Sequence, residues 1–239
     1  MLYIAPSLLA ADFSDLQNEI RRMEDAGANY LHLDIMDGHF VPNISFGAGL
    51  VRSIRRHTRL FFDVHLMISD PLRYAEDFIR AGADIITFHY EAVEDPLSVL
   101  RAIRALEMPC GIAISPKTPV DVLYPLLGEA KMFLIMTVEP GFGGQALIPE
   151  TLDKVRHLRR YAIQQGREVN IEVDGGIGAE NALYCEYSCV RLRIVQVPAS
   201  EGGDTENARS VQGASVFGVT QPIMIPNREG KGSGSCFET

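Results

Sequence analysis

Hydrophobic and polar positions alternate in two rhythms along residues 1–180. Short apolar runs recur about every 25 to 30 residues, and between them apolar side chains recur at helical spacing. The predicted strands span residues 3–6, 30–36, 60–67, 85–88, 110–114, 132–138 and 169–173. Strands of this apolar character, alternating with helices, predict an α/β fold with a parallel sheet covered by helices.

Seven strand–helix units are visible, and one more would close a (β/α)8 TIM barrel. We therefore predict one barrel domain over residues 1–218. From residue 183 onward the sequence shows neither a helical stripe nor an obvious strand, so the eighth unit is left open and residues 183–218 are treated as atypical. Glycine and serine alternate over residues 230–235, which favours a flexible tail over residues 219–239.

Helix ends are predicted from capping and stop signals. Ser14 is expected to cap the first helix, and Gly27 to end it. In the helix predicted over residues 149–165, Ile163 is expected to face the core together with the leucines of the same segment.

Composition narrows the classes of function. The 239 residues are 46% hydrophobic and carry a formal net charge of −9, with a pI near 5.2. This balance argues against nucleic acid or an anionic membrane as partner, since both need clustered basic residues. No apolar run approaches the roughly 18 residues of a membrane span, and no signal peptide is evident, so a cytoplasmic location is expected. Four cysteines are too few for a disulfide scaffold in a chain of this length.

Ionisable side chains occur where buried strands should have none. His32 and Asp34 share one face of the strand at residues 30–36, His65 lies in the next strand, and Asp174 ends the seventh. Each alone is more commonly structural, but four such groups at one barrel mouth would be costly to bury without a cation. Two imidazoles and two carboxylates therefore predict a divalent metal site. Three further residues are assigned to loops or to positions behind the ligands: Asp37, His39 and Asp63.

Glycine-rich turns follow the sixth and seventh predicted strands. Glycines let backbone N–H groups point at an anion, and barrel enzymes commonly hold phosphate with loops in this region. A phosphorylated substrate is therefore expected. The candidate binding residues are Gly141, Phe142, Gly143, Gly144, Gly175, Gly176, Gly213 and Ala214.

Three methionines, Met36, Met67 and Met136, fall at or near strand ends. Methionine is usually core filler. At one barrel mouth the three could also form a polarisable wall beside a planar intermediate.

Five segments together carry a resemblance to a known family: PSLLAAD at 6–12, HLDIMDG at 32–38, DVHLM at 63–67, VEPGFGGQ at 138–145 and VDGGI at 173–177. In order and spacing they resemble the ribulose-phosphate 3-epimerase family over residues 1–182. The resemblance implies a (β/α)8 isomerase of the pentose phosphate pathway. Such an enzyme interconverts D-ribulose 5-phosphate and D-xylulose 5-phosphate with one divalent metal, which is zinc, iron(II), manganese or cobalt.

The resemblance also implies individual roles. His32, Asp34, His65 and Asp174 would ligate the metal, and the two aspartates would act as base and acid, exchanging these roles with direction. Ser7 and His65 would contact the sugar. The phosphate would be held by Gly141, Gly143, Gly144, Gly175 and Gly176.

The C-terminal part departs from the family pattern, because Gly213–Ala214 stands where a Gly-Ser turn is expected. Two alternatives therefore stay open: an epimerase of another ketose phosphate, such as allulose 6-phosphate, and a catalytically impaired variant. A phosphate-binding barrel decarboxylase is disfavoured by the two-histidine, two-aspartate set. Assembly into a homo-oligomer is left open.

Overall fold

The computed structural model describes residues 2–178, residue 181 and residues 192–196. Within them, eight strands form one sheet in which every hydrogen-bonded pair is parallel. The strands are β1 Leu2–Pro6, β2 Tyr30–Met36, β3 Phe61–Met67, β4 Ile85–His89, β5 Cys110–Ile114, β6 Met132–Met136, β7 Ile171–Asp174 and β8 Leu192–Gln196.

The sheet closes on itself. Its order runs β1-β8-β7-β6-β5-β4-β3-β2, and a parallel bridge between Ser7 and His32 joins the two ends. The predicted (β/α)8 barrel is therefore confirmed. The eighth strand, which the sequence left open, is present and pairs with β1 and β7. Arg193 and Gln196 interrupt its apolar run, which is why the pattern alone did not reveal it. The predicted boundary at residue 218 and the predicted tail lie outside the described residues.

Among the described residues, five α-helices lie between the strands: α1 Leu16–Asp25, α2 Ala48–Arg55, α3 Pro71–Ala81, α4 Pro96–Ala105 and α5 Thr151–Gln164. After β5 a 3-10 helix, Val120–Leu126, stands in place of an α-helix and contains Pro125, which lacks the N–H that a continuous helical ladder needs. No helix in the described part of the chain is long and apolar enough to cross a membrane.

Two local predictions were wrong. Asp12, not Ser14, caps the helical segment ahead of α1, because Ser14 donates both its N–H and its hydroxyl to Asp12 Oδ1. Ile163 is 63% exposed. It follows the fully buried Ala162 by one residue, and a helix turns by about 100° per residue, so Ile163 points away from the sheet.

The strands present two different faces. Leu31, Leu33 and other outward apolar side chains pack in one core between the sheet and the helices. The opposite face of β2 carries His32 and Asp34, both buried. Because parallel strands all end at the same side of a barrel, this alternation gathers polar side chains at one mouth.

Asp37 ties the loop after β2 to the loop after β3. Its Oδ1 accepts the N–H groups of His39 and Phe40 at 2.8 and 2.9 Å, and its Oδ2 accepts the N–H and hydroxyl of Ser69, each at 2.8 Å. Burial acts to raise the pKa of Asp37, but these hydrogen bonds, first that from the Ser69 N–H, outweigh it and lower the pKa to about 2. The ionised carboxylate therefore stabilises this side of the barrel mouth.

We expect Asp37→Asn to lower the free energy of unfolding at pH 7 by about 1–2 kcal/mol, because an amide cannot accept all four donors. A carboxyl whose folded pKa is depressed contributes fully above its unfolded value of about 3.9 and loses the contribution as pH falls towards its folded value. The difference between wild type and variant should therefore shrink from pH 7 to pH 3. Urea unfolding at both pH values measures it, and a constant difference would contradict the role of the charge.

Candidate active site and metal centre

Strands β2, β3 and β7 bring the four predicted ligands together. His32 Nε2 lies 3.3 Å from His65 Nδ1, which lies 3.3 Å from Asp34 Oδ1. Asp174 Oδ2 is 3.7 Å from His32 Nε2 and 3.6 Å from His65 Nδ1. All four potential ligand atoms lie within 4.8 Å of one another, and all four residues are buried.

The spacing fits one divalent cation. Nitrogen and oxygen ligands lie about 2.0–2.2 Å from such an ion, so neighbouring ligands of one ion are separated by roughly 3.0–3.6 Å. Three of the four observed separations, 3.3, 3.3 and 3.6 Å, fall within this range, and the fourth, 3.7 Å between Asp174 and His32, lies just above it. Two imidazoles and two carboxylates suit zinc and the neighbouring transition metals. The side chains therefore form a group that could hold a divalent metal.

The two aspartates have opposite electrostatic environments. Burial alone would raise the pKa of Asp34, but the imidazoles of His32 and His65 hold it well below its ordinary value. Burial, and then the negative charge of Asp34, raise the pKa of Asp174. One carboxyl is thus driven to ionise and the other to stay protonated, the separation typical of an acid and base pair.

The histidines also differ. Burial disfavours the charged form of His32, but the carboxylate of Asp34 and hydrogen bonds to Asp34, Asp63 and Glu172 outweigh burial and raise its pKa well above the ordinary value. Burial lowers the pKa of His65 to about 4. A metal needs neutral imidazoles, so cation binding at this centre is linked to proton release from His32.

Asp63 and Glu172 lie behind His32. From the sequence, Asp63 is assigned to a loop or to a position behind the ligands and is left out of the ligand set, and Glu172 is not singled out. Both are fully buried, and their carboxylate oxygens lie 3.2 and 3.6 Å from His32 Nδ1. Each precedes a predicted ligand by two positions, Asp63 before His65 and Glu172 before Asp174, so strand alternation could have identified both. A carboxylate behind a metal-ligating histidine fixes the orientation of the ring.

Above the four ligands opens a cavity of about 300 Å³. Ser7 lines this cavity, and its hydroxyl donates to Asp34 Oδ2 at 2.6 Å. Asp34 and Asp174 form its floor, while His32 and His65 lie beneath, fully buried. The remaining predicted residues that line it are Met36, Met67, Met136, Gly141, Phe142, Gly143, Gly144, Gly175 and Gly176. Gly213 and Ala214, also predicted to bind phosphate, lie outside the described residues.

The glycine turns lie at one end of the cavity in conformations that require glycine. Gly175 and Gly176 have φ of +112° and +67°. A Cβ on Gly176 would lie 2.3 Å from the backbone nitrogen of Leu147, so the two loops are in close contact. The Gln145 side chain donates to the carbonyls of Glu139 and Phe142, which braces the loop after β6.

Comparison with known proteins supports the family resemblance that the sequence motifs indicate. The model of the ribulose-phosphate 3 epimerase family matches residues 3–190. A Candida glabrata protein named ribulose-phosphate 3-epimerase is 41% identical over 238 residues, covering 93% of this chain and 88% of that protein. A rice protein named as the cytoplasmic isoform is 41% identical and covers 92% and 89%. A Synechocystis relative of the same name is 47% identical and covers 75% and 79%.

Solved structures show the same fold at low sequence identity. The tryptophan synthase A-subunit of Pyrococcus furiosus matches with a TM-score of 0.59 and 14% identity, covering 81% of this chain and 86% of that one. The N-(5'-phosphoribosyl)anthranilate isomerase of the same organism matches with a TM-score of 0.57 and 15% identity, covering 90% and 99%. With the family model spanning most of the sequence, the chain belongs to the ribulose-phosphate 3-epimerase family.

Proposed function

We propose that the chain reversibly interconverts D-ribulose 5-phosphate and D-xylulose 5-phosphate by proton transfer at C3. Family membership makes it an isomerase of the epimerase class. The observation that carries the proposal is the pair of buried carboxyls, Asp34 and Asp174, with opposed pKa shifts on the floor of one cavity.

Epimerisation needs one group on each face of the substrate. The ionised carboxylate of Asp34 removes the C3 proton beside the C2 ketone, and the protonated carboxyl of Asp174 delivers a proton to the opposite face of the enediolate. In the reverse direction the two exchange roles. The Ser7 hydroxyl, held on Asp34 Oδ2, orients this carboxylate and lies within reach of the sugar.

The metal centre would be formed by His32, Asp34, His65 and Asp174. A divalent cation, which we propose to be zinc, iron(II), manganese or cobalt, supplies electrostatic stabilisation for the negative charge that develops as the C3 proton leaves. His32 and His65 lie beneath the two carboxylates, 3.4 and 3.3 Å from Asp34 Oδ1 and 3.7 and 3.6 Å from Asp174 Oδ2.

Phosphate binding is assigned to the glycine end of the cavity. The described residues at this end of the cavity include no lysine or arginine, and the glycine-rich turns there offer backbone N–H groups for the anion. We assign this role to the turns at Gly143–Gly144 and Gly175–Gly176. Binding the phosphate far from C3 orients the reacting carbon, which is how remote contacts lower a barrier.

Met36, Met67 and Met136 are buried beside the two aspartates and line the cavity. We propose that they form an apolar, polarisable wall that excludes water from the planar enediolate.

We also propose a cytoplasmic location and assembly into a homo-oligomer. We propose further that the protein has no nucleic-acid partner, and the net charge of −9 supports this last proposal.

Turnover of D-ribulose 5-phosphate in a coupled assay tests the function. Protein stripped of metal should be inactive and should regain activity with at least one of zinc, iron(II), manganese and cobalt. Allulose 6-phosphate, offered in parallel, should turn over more slowly. Faster turnover of allulose 6-phosphate would reassign the substrate, and a lack of turnover with every metal would leave the catalytically impaired variant as the better description.

A further inference from the structure

His89, at the end of β4, lies directly behind His65 on the side away from the proposed cation. It is fully buried, and its Nε2 lies 2.9 Å from His65 Nε2. The two rings stack with centroids 5.0 Å apart and an angle of 24° between planes. No role in the proton transfer has been assigned to His89, yet it occupies the one ring nitrogen of His65 that does not face Asp34 and Asp174.

Glu91 continues this contact outward. Its Oε2 lies 3.2 Å from His89 Nδ1, while its Oε1 accepts the N–H of Ser115 at 2.8 Å and the hydroxyl of Thr118. The Glu91 side chain is 26% exposed, so the outer end of this series of hydrogen-bonded side chains is near solvent. Burial acts to raise the pKa of Glu91, but hydrogen bonds, first that from His89, lower it to about 2, so the group is an obligate acceptor at neutral pH.

A neutral imidazole carries one proton, so the position of the proton on one ring determines it on the next. Glu91 accepts only, which places the His89 proton on Nδ1 and leaves His89 Nε2 as an acceptor. His65 must then donate from its own Nε2. Its Nδ1 is left with a free lone pair, and this is the atom that faces Asp34 and Asp174.

We propose that Glu91 and His89 are positioning residues that set the tautomer of His65, so that Nδ1 is available to a divalent cation. The inference rests on the metal site of the proposed function. Neither residue lines the cavity or contacts any of the four potential ligand atoms. They act on the metal site only through the hydrogen bond between His89 and His65.

The hydrogen-bond series from Glu91 through His89 to His65 is called the relay below. The substitution Glu91→Gln should reverse the direction in which its hydrogen bonds are donated. The glutamine oxygen has to accept from the fixed N–H of Ser115, which turns the amide NH2 towards His89 Nδ1. His89 must then accept at Nδ1 and donate from Nε2, and His65 is driven to carry its proton on Nδ1. Glu91→Ala removes the constraint without reversing it, and Glu94→Gln, at an exposed neighbouring position, removes the same charge without contact to His89.

Cation affinity is the first readout, measured with zinc by competition against a chromogenic chelator. Loss of a partner behind a metal ligand typically weakens binding by about 10–100-fold. We expect a loss in this range for Glu91→Gln, a smaller loss for Glu91→Ala and wild-type affinity for Glu94→Gln. A merely structural role predicts the opposite order, with alanine worse than the isosteric glutamine, and that order would overturn the proposal.

The second readout is the tautomer itself, from nitrogen NMR of metal-free protein labelled at its six histidines. His65 should carry its proton on Nε2 in wild type and on Nδ1 in Glu91→Gln. Identical tautomers in both proteins would also overturn the proposal. If Glu91→Gln does not fold, Glu91→Ala takes its place, and a His65 tautomer identical to that of wild type would overturn the proposal, because His32 Nε2, 3.3 Å from His65 Nδ1, would then set the tautomer without Glu91.

Neither readout uses turnover, so the two proposals fail separately. A wild type that binds zinc and shows the Nε2–H tautomer, but does not turn over D-ribulose 5-phosphate, would contradict the proposed function and leave the relay intact. A wild type that turns over substrate with His65 protonated on Nδ1 would do the reverse.

Discussion

Asp34→Asn and Asp174→Asn should each lower the interconversion of the two pentulose phosphates by roughly a thousandfold, within the range for loss of a general acid or base. An amide neither accepts the C3 proton nor returns one. Because each aspartate serves a different face of the substrate, the two variants should nevertheless differ in what they retain. The measurement is loss of the C3 hydrogen to deuterated water, followed by NMR for each epimer separately.

Each variant should exchange the C3 hydrogen of one epimer without inverting it, and the two should exchange opposite epimers. Cation content is measured alongside, since asparagine keeps one oxygen that can ligate. If both variants exchange the same epimer at equal bound metal, a single base serves both faces and the two-carboxyl mechanism is wrong.

Gly176→Ala should raise the KM for D-ribulose 5-phosphate more than tenfold while zinc affinity stays near that of wild type. The left-handed φ of +67° is unfavourable for alanine, and the added Cβ would lie 2.3 Å from the nitrogen of Leu147, an atom of the backbone. The loop after β6 must therefore move, and the backbone N–H groups assigned to the phosphate move with it. Steady-state kinetics and zinc competition provide the two numbers.

Gly166→Ala is the matched control. Gly166 has almost the same φ, +64°, but a Cβ there would meet nothing within 4 Å. It follows α5, away from the residues that line the cavity. Alanine at this position should lower the free energy of unfolding by about 1 kcal/mol and leave KM unchanged. Equal kinetic effects of the two substitutions would mean that general destabilisation, not displacement of the loop, explains Gly176→Ala.

Most of the barrel was predictable because its periodicity is strong. β2 and β5 have the bounds that the sequence indicated, and the period of two on β2 separates Leu33 from Asp34 without knowledge of the fold. The same reasoning placed His65 and Asp174 at one mouth, since parallel strands end on the same side.

What escaped prediction depends on contacts between distant parts of the chain. β8 is held by pairing with β1, at the opposite end of the barrel sequence. Its own five residues carry too little apolar periodicity to be recognised as a strand. His89 ends an apolar strand and reads as an isolated buried histidine until β3 places His65 beside it. The tautomer of one imidazole is set by a neighbour in space, and a linear pattern does not contain that information.

The cavity assigned to a phosphorylated substrate has no basic side chain among its described lining residues, and the chain as a whole carries a net charge of −9. The net negative charge acts against long-range attraction of a phosphorylated substrate, so the summed field of the protein repels it. Added salt screens this repulsion, so capture of substrate should become faster in concentrated electrolyte, the reverse of the behaviour of enzymes that steer anions with lysine and arginine.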